Sequence, residues 1–361
     1  MKILLISNGF AEKNGWSVYT KTLSDGLEKD GHTVFHASDL GSPLSYYSSP
    51  FTAIRNVHRL KKHIQNIQPD VIHITVEPYS AMLPLLGKRI ASKTILTIHG
   101  SYGIRMFQGF VNKRRSRWIL THIHKCIAVS NYTKMRVTEE LTALVDKKFA
   151  LLFKRKTEVI TNGVTLPASI SSPKNTVKQI ICVGGVKPRK GLLESLKALY
   201  LYVKTIDKGI HFTICGTYNP DNAYVQDLQN YIHAHSLKSY VTFTGTLSDE
   251  ELQSQYAQSD LYLMPAKTTP NTFEGFGIVY IEAAGYGIPC IGPTDSGAAE
   301  AIKNGESGYK CDPDDTESII RAMENILLHE KIKRESCRNW AEKHTTDTMI
   351  SSIESLYQSL I

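Results

Sequence analysis

No apolar run in this 361-residue chain approaches the ~20 residues that span a bilayer; the longest, such as Ala81 to Leu86 and Ile278 to Ala284, are far shorter. No transmembrane helix is therefore expected. The opening Met1-Lys-Ile-Leu-Leu-Ile-Ser7 runs straight into a strand-like pattern and lacks the small-residue cleavage site of a secretion signal, so a cytoplasmic location is expected. Low-complexity tracts are absent too, and 42% hydrophobic with 21% charged residues is the composition of an ordinary globular protein. The six cysteines, at 126, 182, 215, 290, 311 and 337, are scattered, which excludes a zinc-finger spacing or a disulfide framework and predicts buried free thiols. Neither half carries Gly-x-Gly-x-x-Gly after its first strand, which disfavours a dehydrogenase. Acidic residues are scarce only in the first half: residues 1–170 hold 24 Lys+Arg against 11 Asp+Glu, whereas the whole chain is +8. That asymmetry points to an anionic partner for the first half, with phosphate-bearing substrates, anionic lipid and nucleic acid as candidates.

What is present is rhythm. Short β-branched runs alternate with helix-length segments at Lys2–Ile6, Thr33–His36, Val71–Thr75, Thr94–Ile98, Cys126–Val129 and Glu158–Thr161. The rhythm pauses over a Pro- and Ser-rich stretch from Thr165 to Thr176, then restarts with Gln179–Val183, Ile210–Cys215, Tyr240–Thr244, Leu261–Met264 and Pro289–Ile291. Two α/β domains with parallel sheets follow, 1–167 and 178–344, joined by a linker over 168–177. The tail from Trp340 to Ile361, with Met349, Ile353, Leu356 and Tyr357 at helical spacing, predicts an amphipathic terminal helix.

In open parallel sheets, ligands sit beyond the carboxyl ends of the strands. After Leu261–Met264 comes the polar loop Pro265 to Gly277, leading into the apolar run Ile278 to Gly287. Gly275 and Gly277 permit close backbone approach, and the N–H groups of Phe276, Gly277, Ile278 and Val279 at a helix start make an anion site that suits a diphosphate. Glu282 lies among Ile281, Ala283 and Ala284, where a carboxylate needs hydrogen-bond donors such as ribose hydroxyls.

The stretch Phe273-Glu-Gly-Phe-Gly-Ile-Val-Tyr-Ile-Glu-Ala-Ala-Gly-Tyr-Gly-Ile-Pro-Cys-Ile291 closely resembles the E-x7-E signature of the large retaining glycosyltransferase family with the GT-B fold (glycosyltransferase group 1, family 4 type). Further matching segments are Gly184-Gly-Val-Lys-Pro-Arg-Lys-Gly191, Phe243 to Leu247, Ser259 to Pro265 and Ser296 to Ile302. The resemblance implies two Rossmann-like domains whose sheets face an interdomain cleft, the first completed by the terminal helix 345–361. It implies that Glu274 contacts the donor sugar, that Glu282 binds the ribose, and that Lys190 neutralises the diphosphate. The family's arginine position is occupied here by Gly185; either Arg189, the preferred substitute, or Lys187 takes its place from within the loop, or Lys190 and the helix N–H groups hold the diphosphate alone.

Asn14-Gly15 stands where family members carry Gly-Gly, and by resemblance the Gly15 N–H meets the donor's distal phosphate. His99, directly after Thr94–Ile98, matches the family's Thr-x-His pattern and implies a residue beside the anomeric centre, not a general base. His32 is expected to be structural. His73, His122 and His124 carry no comparable support. Val129-Ser-Asn-Tyr132 and Ile160-Thr-Asn-Gly-Val164 resemble further family stretches, the second with Thr161 in place of proline.

Arg105, Lys113, Arg114, Arg115, Arg117 and Trp118, with Phe107, Phe110 and Ile119 between them, mix charge and apolar rings in the way that suits anionic lipid. These residues mark an acceptor or membrane face, and the acceptor is expected to be a saccharide or lipid-linked saccharide in envelope polysaccharide, glycolipid or glycoconjugate synthesis. The expected reaction is a retaining hexosyl transfer from a nucleotide-sugar, UDP being the commonest base, on the cytoplasmic face of the membrane. No cofactor and no metal are expected, since Asp312-Pro-Asp314 lies in a proline turn. A nucleic-acid-binding protein and a sugar-nucleotide epimerase are the rival readings; the E-x7-E motif argues against nucleic acid as a partner.

Overall fold

The computed structural model describes residues 1–9, 14–48, 50–170 and 175–360. The chain divides into two compact units, Met1–Gly163 with Thr346–Ile361, and Val164–Thr345. Part of the expected linker, residues 171–174, lies outside the described residues.

The first unit holds β1 (Lys2–Ile6), β2 (Thr33–Ala37), β3 (Val71–Ile74), β4 (Thr94–Ile98), β5 (Lys125–Ala128) and β6 (Thr157–Val159). They pair in parallel in the order β2-β1-β3-β4-β5-β6. Strands β3 and β4 are buried along their whole length; apart from His73, their apolar and β-branched residues suit a parallel sheet covered on both faces. Because the chain steps from β1 to β2 on one side and to β3 on the other, the order reverses between β1 and β3, which opens a crevice there.

The tail departs from the single helix expected over Trp340 to Ile361. Helix Arg334–Ala341 belongs to the second unit; after the short Glu342–His344 turn and the extended Thr345, helix Thr346–Gln358 belongs to the first. Its Met349, Ile350, Ile353, Leu356 and Tyr357 join Ile3, Leu5, Tyr19, Leu23 and Leu27 in one core. Helix Gly15–Lys29 meets it so closely that a Cβ at Gly26 would stand 2.5 Å from the Ile350 side chain. His73, fully buried, lies between the Tyr357 hydroxyl (2.5 Å) and Thr97 Oγ1 (2.7 Å). His32 bridges the Met1 amine and Glu354 at 3.2 and 2.7 Å, the structural part expected of it.

The second unit holds β7 (Lys178–Val183), β8 (Ile210–Cys215), β9 (Val241–Gly245), β10 (Leu261–Leu263), β11 (Cys290–Pro293) and β12 (Gly308–Cys311). The order is β12-β11-β10-β7-β8-β9, all parallel. This is the doubly wound order, and its reversal lies between β7 and β10. Strand β12 was not foreseen, because Gly-Tyr-Lys-Cys has no apolar run; it exists because Gly308 lets the backbone close on β11, where a Cβ would meet the Cys290 carbonyl at 2.1 Å. All six cysteines are free and buried.

Candidate active site

The loops after β7 and β10 flank the switch point of the second sheet and are joined by their backbones. The Lys267 N–H donates to the Arg189 carbonyl at 2.8 Å. Gly191 adopts φ 68° in the left-handed region, and a Cβ there would stand 1.9 Å from the Pro265 carbonyl oxygen. Only glycine permits this approach, and it brings Lys190 beside Glu274. The Lys190 ammonium lies 3.0 Å from Glu274 Oε1, and the Arg189 guanidinium donates to the same oxygen. Glu274 and Lys190 are buried, at 8% and 9% exposure, so this charge cluster is largely screened from water. Burial pushes the Glu274 carboxyl upward, but the Lys190 and Arg189 cations outweigh it and hold the group below the usual carboxylate range.

Gly277 caps helix Ile278–Gly285 with φ 74°, and a Cβ would strike the Tyr280 ring at 2.7 Å. No side chain caps this helix, and the Ile278 and Val279 N–H groups meet no acceptor among the described residues. Two unpaired donors at a positive helix end are of the kind that suits an anion. Phe276 is buried beneath the loop, and the Glu274 carbonyl accepts the Gly297 N–H at 2.9 Å, which ties Gly275 and its neighbours to the turn after β11.

One turn into this helix, Glu282 accepts a hydrogen bond from the Tyr256 hydroxyl at 3.1 Å. Burial raises the carboxyl above its ordinary value, and the Tyr256 bond offsets part of that. Tyr256 itself is buried and stacks on Tyr286 with ring centroids 5.3 Å apart. Sequence reasoning missed Tyr256; its position in a polar helix, Asp249–Ala257, gives no sign that it faces Glu282.

Beside Gly185, the nearest side-chain atoms to a Cβ would be Thr217 Oγ1 at 3.2 Å and Lys187 Cε at 3.8 Å. The cations that reach the carboxylate are Arg189 and Lys190. Asp314 is held by Lys267 at 2.6 Å, and Asp312 accepts the Asp314 N–H at 2.9 Å.

In the first unit, the crevice between β1 and β3 carries a second polar cluster. Asn14 caps helix Gly15–Lys29 by accepting from the Trp16 and Ser17 N–H groups at 3.1 Å each, and the exposed Gly15 N–H has no acceptor among the described residues. Glu77, fully buried after β3, accepts the His99 N–H at 2.6 Å and the Trp16 indole N–H at 2.8 Å. Burial drives its carboxyl up to about 7, against the pull of these bonds. His99 Nε2 lies 2.9 Å from the Thr75 carbonyl; a carbonyl only accepts, so Nε2 bears the proton. Burial pushes the imidazole down to about 4, which keeps it neutral at pH 7. Glu77 was not singled out from sequence, although a glutamate between Val76 and Pro78 at a strand's carboxyl end is a signal of the right kind.

The basic segment forms helix Phe110–His122, and the structure corrects its composition. Phe107, in the turn before the helix, and Ile119, on the helix's inward face, are core residues, each 1% exposed. Arg115 is half-buried and donates to the Tyr46 carbonyl at 3.1 Å, so it serves the fold. Arg117 is exposed and donates to the Val145 carbonyl at 3.2 Å, and Trp118 stacks on His122 at 4.4 Å. Phe110 and Val111, 80% and 53% exposed, stand at the start of the helix beside Lys113 and Arg114. No helix among the described residues is long and apolar enough to cross a membrane.

Comparison with known proteins covers both units. The profile of the family described as glycosyl transferases group 1 matches residues 168–344, and that of glycosyltransferase family 4 matches residues 13–166. A GDP-mannose-dependent alpha-(1-6)-phosphatidylinositol monomannoside mannosyltransferase of Mycobacterium tuberculosis is 28% identical over 151 residues, which is 41% of this chain and 38% of that protein. The match thus spans well under half the length of that relative. A glycogen synthase of the same organism is 25% identical over 310 residues, 81% of this chain and 69% of the relative. The Anabaena HepE structure in complex with UDP and glucose superposes with a TM-score of 0.72 at 17% identity, covering 99% of this chain and 100% of that one. At that identity the likeness is one of fold: two Rossmann-like domains of the GT-B kind.

Proposed function

Because the chain belongs to the group 1 glycosyltransferases, we propose that it moves a hexose-type sugar from a nucleoside diphosphate, UDP first among the candidates, to a saccharide or lipid-linked acceptor with retention of anomeric configuration. The observation that carries the donor half of this proposal is the convergence of Arg189, Lys190 and Glu274 beside the uncapped helix start at Ile278. Two cations and two unpaired N–H groups at a sheet's switch point suit a diphosphate. Arg189 takes the part of the arginine absent at Gly185.

In this mechanism the diphosphate draws Arg189 and Lys190 toward itself, and Glu274 turns to the hydroxyls of the sugar. The two cations stabilise the charge that grows on the leaving phosphate, the term that usually dominates such reactions. Glu282, aimed by Tyr256, accepts from the ribose hydroxyls. The bond from the anomeric carbon to the phosphate oxygen breaks as the bond to the acceptor oxygen forms on the same face, and the acceptor's hydroxyl proton passes to the leaving phosphate. His99, neutral and with its Nε2 proton committed to Thr75, acts as a polar neighbour of the sugar and not as the base.

The first unit is assigned the acceptor. Its +13 balance over residues 1–170 and the exposed Phe110 and Val111 beside Lys113 and Arg114 support an anionic membrane surface as a further partner. The relative from Mycobacterium tuberculosis named for a phosphatidylinositol monomannoside is consistent with such an acceptor class.

Purified protein is screened by thermal unfolding against UDP-, GDP- and ADP-sugars, since a ligand bound only by the native state raises the midpoint. One donor class should raise it, and with acceptor present should yield a product of unchanged anomeric configuration by NMR. No donor shift and no transfer would sink the proposal. Sugar isomerisation without acceptor would instead identify an epimerase.

A further inference from the structure

Next to Glu77, at the carboxyl end of the first sheet, three half-buried side chains form a platform that the donor chemistry does not use. The Trp16 and Tyr102 rings have centroids 4.7 Å apart and planes tilted by 44°. Trp16 is pinned by its indole N–H on Glu77 at 2.8 Å, and the Tyr102 carbonyl accepts the Tyr47 hydroxyl at 2.9 Å. The Arg105 guanidinium stands 5.2 Å from the Tyr102 ring centre, and it has no carboxylate and no hydrogen-bond acceptor among the described residues. Arg115 and Arg117 differ in this: their guanidinium groups are spent on the Tyr46 and Val145 carbonyls.

A half-buried guanidinium whose five donors meet no protein acceptor is open to an anionic ligand that can replace the water around it. Its fork matches carboxylate and phosphate geometry, and the ring beneath it fixes its direction. The Trp16 ring, held by its indole N–H, and the Tyr102 ring packed against it present an apolar surface with polar edges, of the kind that fits the C–H face of a pyranose ring. We propose that Trp16, Tyr102 and Arg105 form the acceptor subsite, and that its ligand is a sugar ring bearing an anionic substituent, carboxylate or phosphate. This rests on the glycosyltransferase reading and narrows its acceptor. Glu77 is a positioning residue for the platform, acting through Trp16.

The test is saturation-transfer NMR on the full chain with four probes: methyl α-D-glucopyranoside, glucuronate, glucose 6-phosphate and inorganic phosphate. An anionic sugar is expected to bind at least about tenfold more tightly than the neutral glycoside, glucuronate and glucose 6-phosphate telling carboxylate from phosphate, and inorganic phosphate should not compete. Arg105→Met should erase the preference for anionic sugars, and Trp16→Ala should abolish binding. If Trp16→Ala lowers the unfolding midpoint, binding is compared well below the midpoints of all variants, where Trp16→Phe, which keeps a ring and loses the Glu77 bond, should bind more weakly than wild type and more tightly than Trp16→Ala. Equal binding of neutral and anionic probes, no binding of any probe, or binding lost in Lys190→Ala but kept in Trp16→Ala each overturns the proposal. UDP and GDP binding is measured alongside. Nucleotide binding with no sugar binding removes the subsite alone, whereas sugar binding with no nucleotide binding removes the donor reading.

Discussion

The Lys190 ammonium stands 3.0 Å from Glu274 Oε1, and Arg189 donates to that same oxygen. One buried carboxylate is therefore shared by two cations, and the proposed nucleoside diphosphate would engage the same groups.

Glu274→Gln should lower both activity and stability. Removing the charge leaves Lys190 buried without its partner, a loss of roughly 3 kcal/mol, and thermal unfolding should show a depressed midpoint. Added UDP should recover part of it, because phosphate replaces the lost anion. Transfer at the wild-type rate would contradict the role given to Glu274.

Arg189→Met should weaken nucleotide binding by roughly tenfold or more, the value of a charge-assisted hydrogen bond. Lys187→Met should change it little, since Lys187 has no contact with Glu274. Calorimetric titration with the nucleoside diphosphate separates them; the opposite ranking would move the phosphate site to Lys187.

Tyr256→Phe removes one hydrogen bond to Glu282 and little volume. Nucleotide affinity should fall by roughly fivefold, about 1 kcal/mol, while the apparent KM for acceptor stays put. An unchanged nucleotide Kd would show that Glu282 needs no partner to hold its place.

Glu77 makes stability pH-dependent with a definite sign. Its folded carboxyl is raised by burial to about 7, so its stabilising contribution is complete below the unfolded value near 4.5 and disappears as pH rises through 7. Trp16, the His99 N–H and Tyr47 are the groups that face it. Over that window the wild type should lose up to about 3 kcal/mol relative to Glu77→Gln. Denaturant titrations of both proteins between pH 5 and 8 check this, and parallel curves would rule it out.

Gly26→Ala should destabilise the first unit by roughly 1–3 kcal/mol, because the new Cβ meets Ile350. Adding Ile350→Ala should cost less in that background than in the wild type, and a double-mutant cycle reads the difference. Additive losses would mean that the two helices part without strain.

Much of the fold was legible because period and punctuation are local. Runs such as Ile210–Cys215 and Thr94–Ile98 are buried on both faces and read as continuous β segments. Strand β12 has no such run and exists only by pairing with β11. The terminal helix showed its apolar stripe, but the break at Thr345 follows from which unit each half packs on, a long-range fact.

At the proposed site, Glu274, Gly277 and Glu282 were legible in the sequence because they fall close together on one loop and the helix that follows it. Tertiary structure decided the rest. Arg189 and Glu274 are 85 residues apart, and Glu77 is 61 residues from Trp16. Each pair meets only because parallel strands carry distant loops to the same sheet end, and burial there makes a lone charge too costly to leave unpaired.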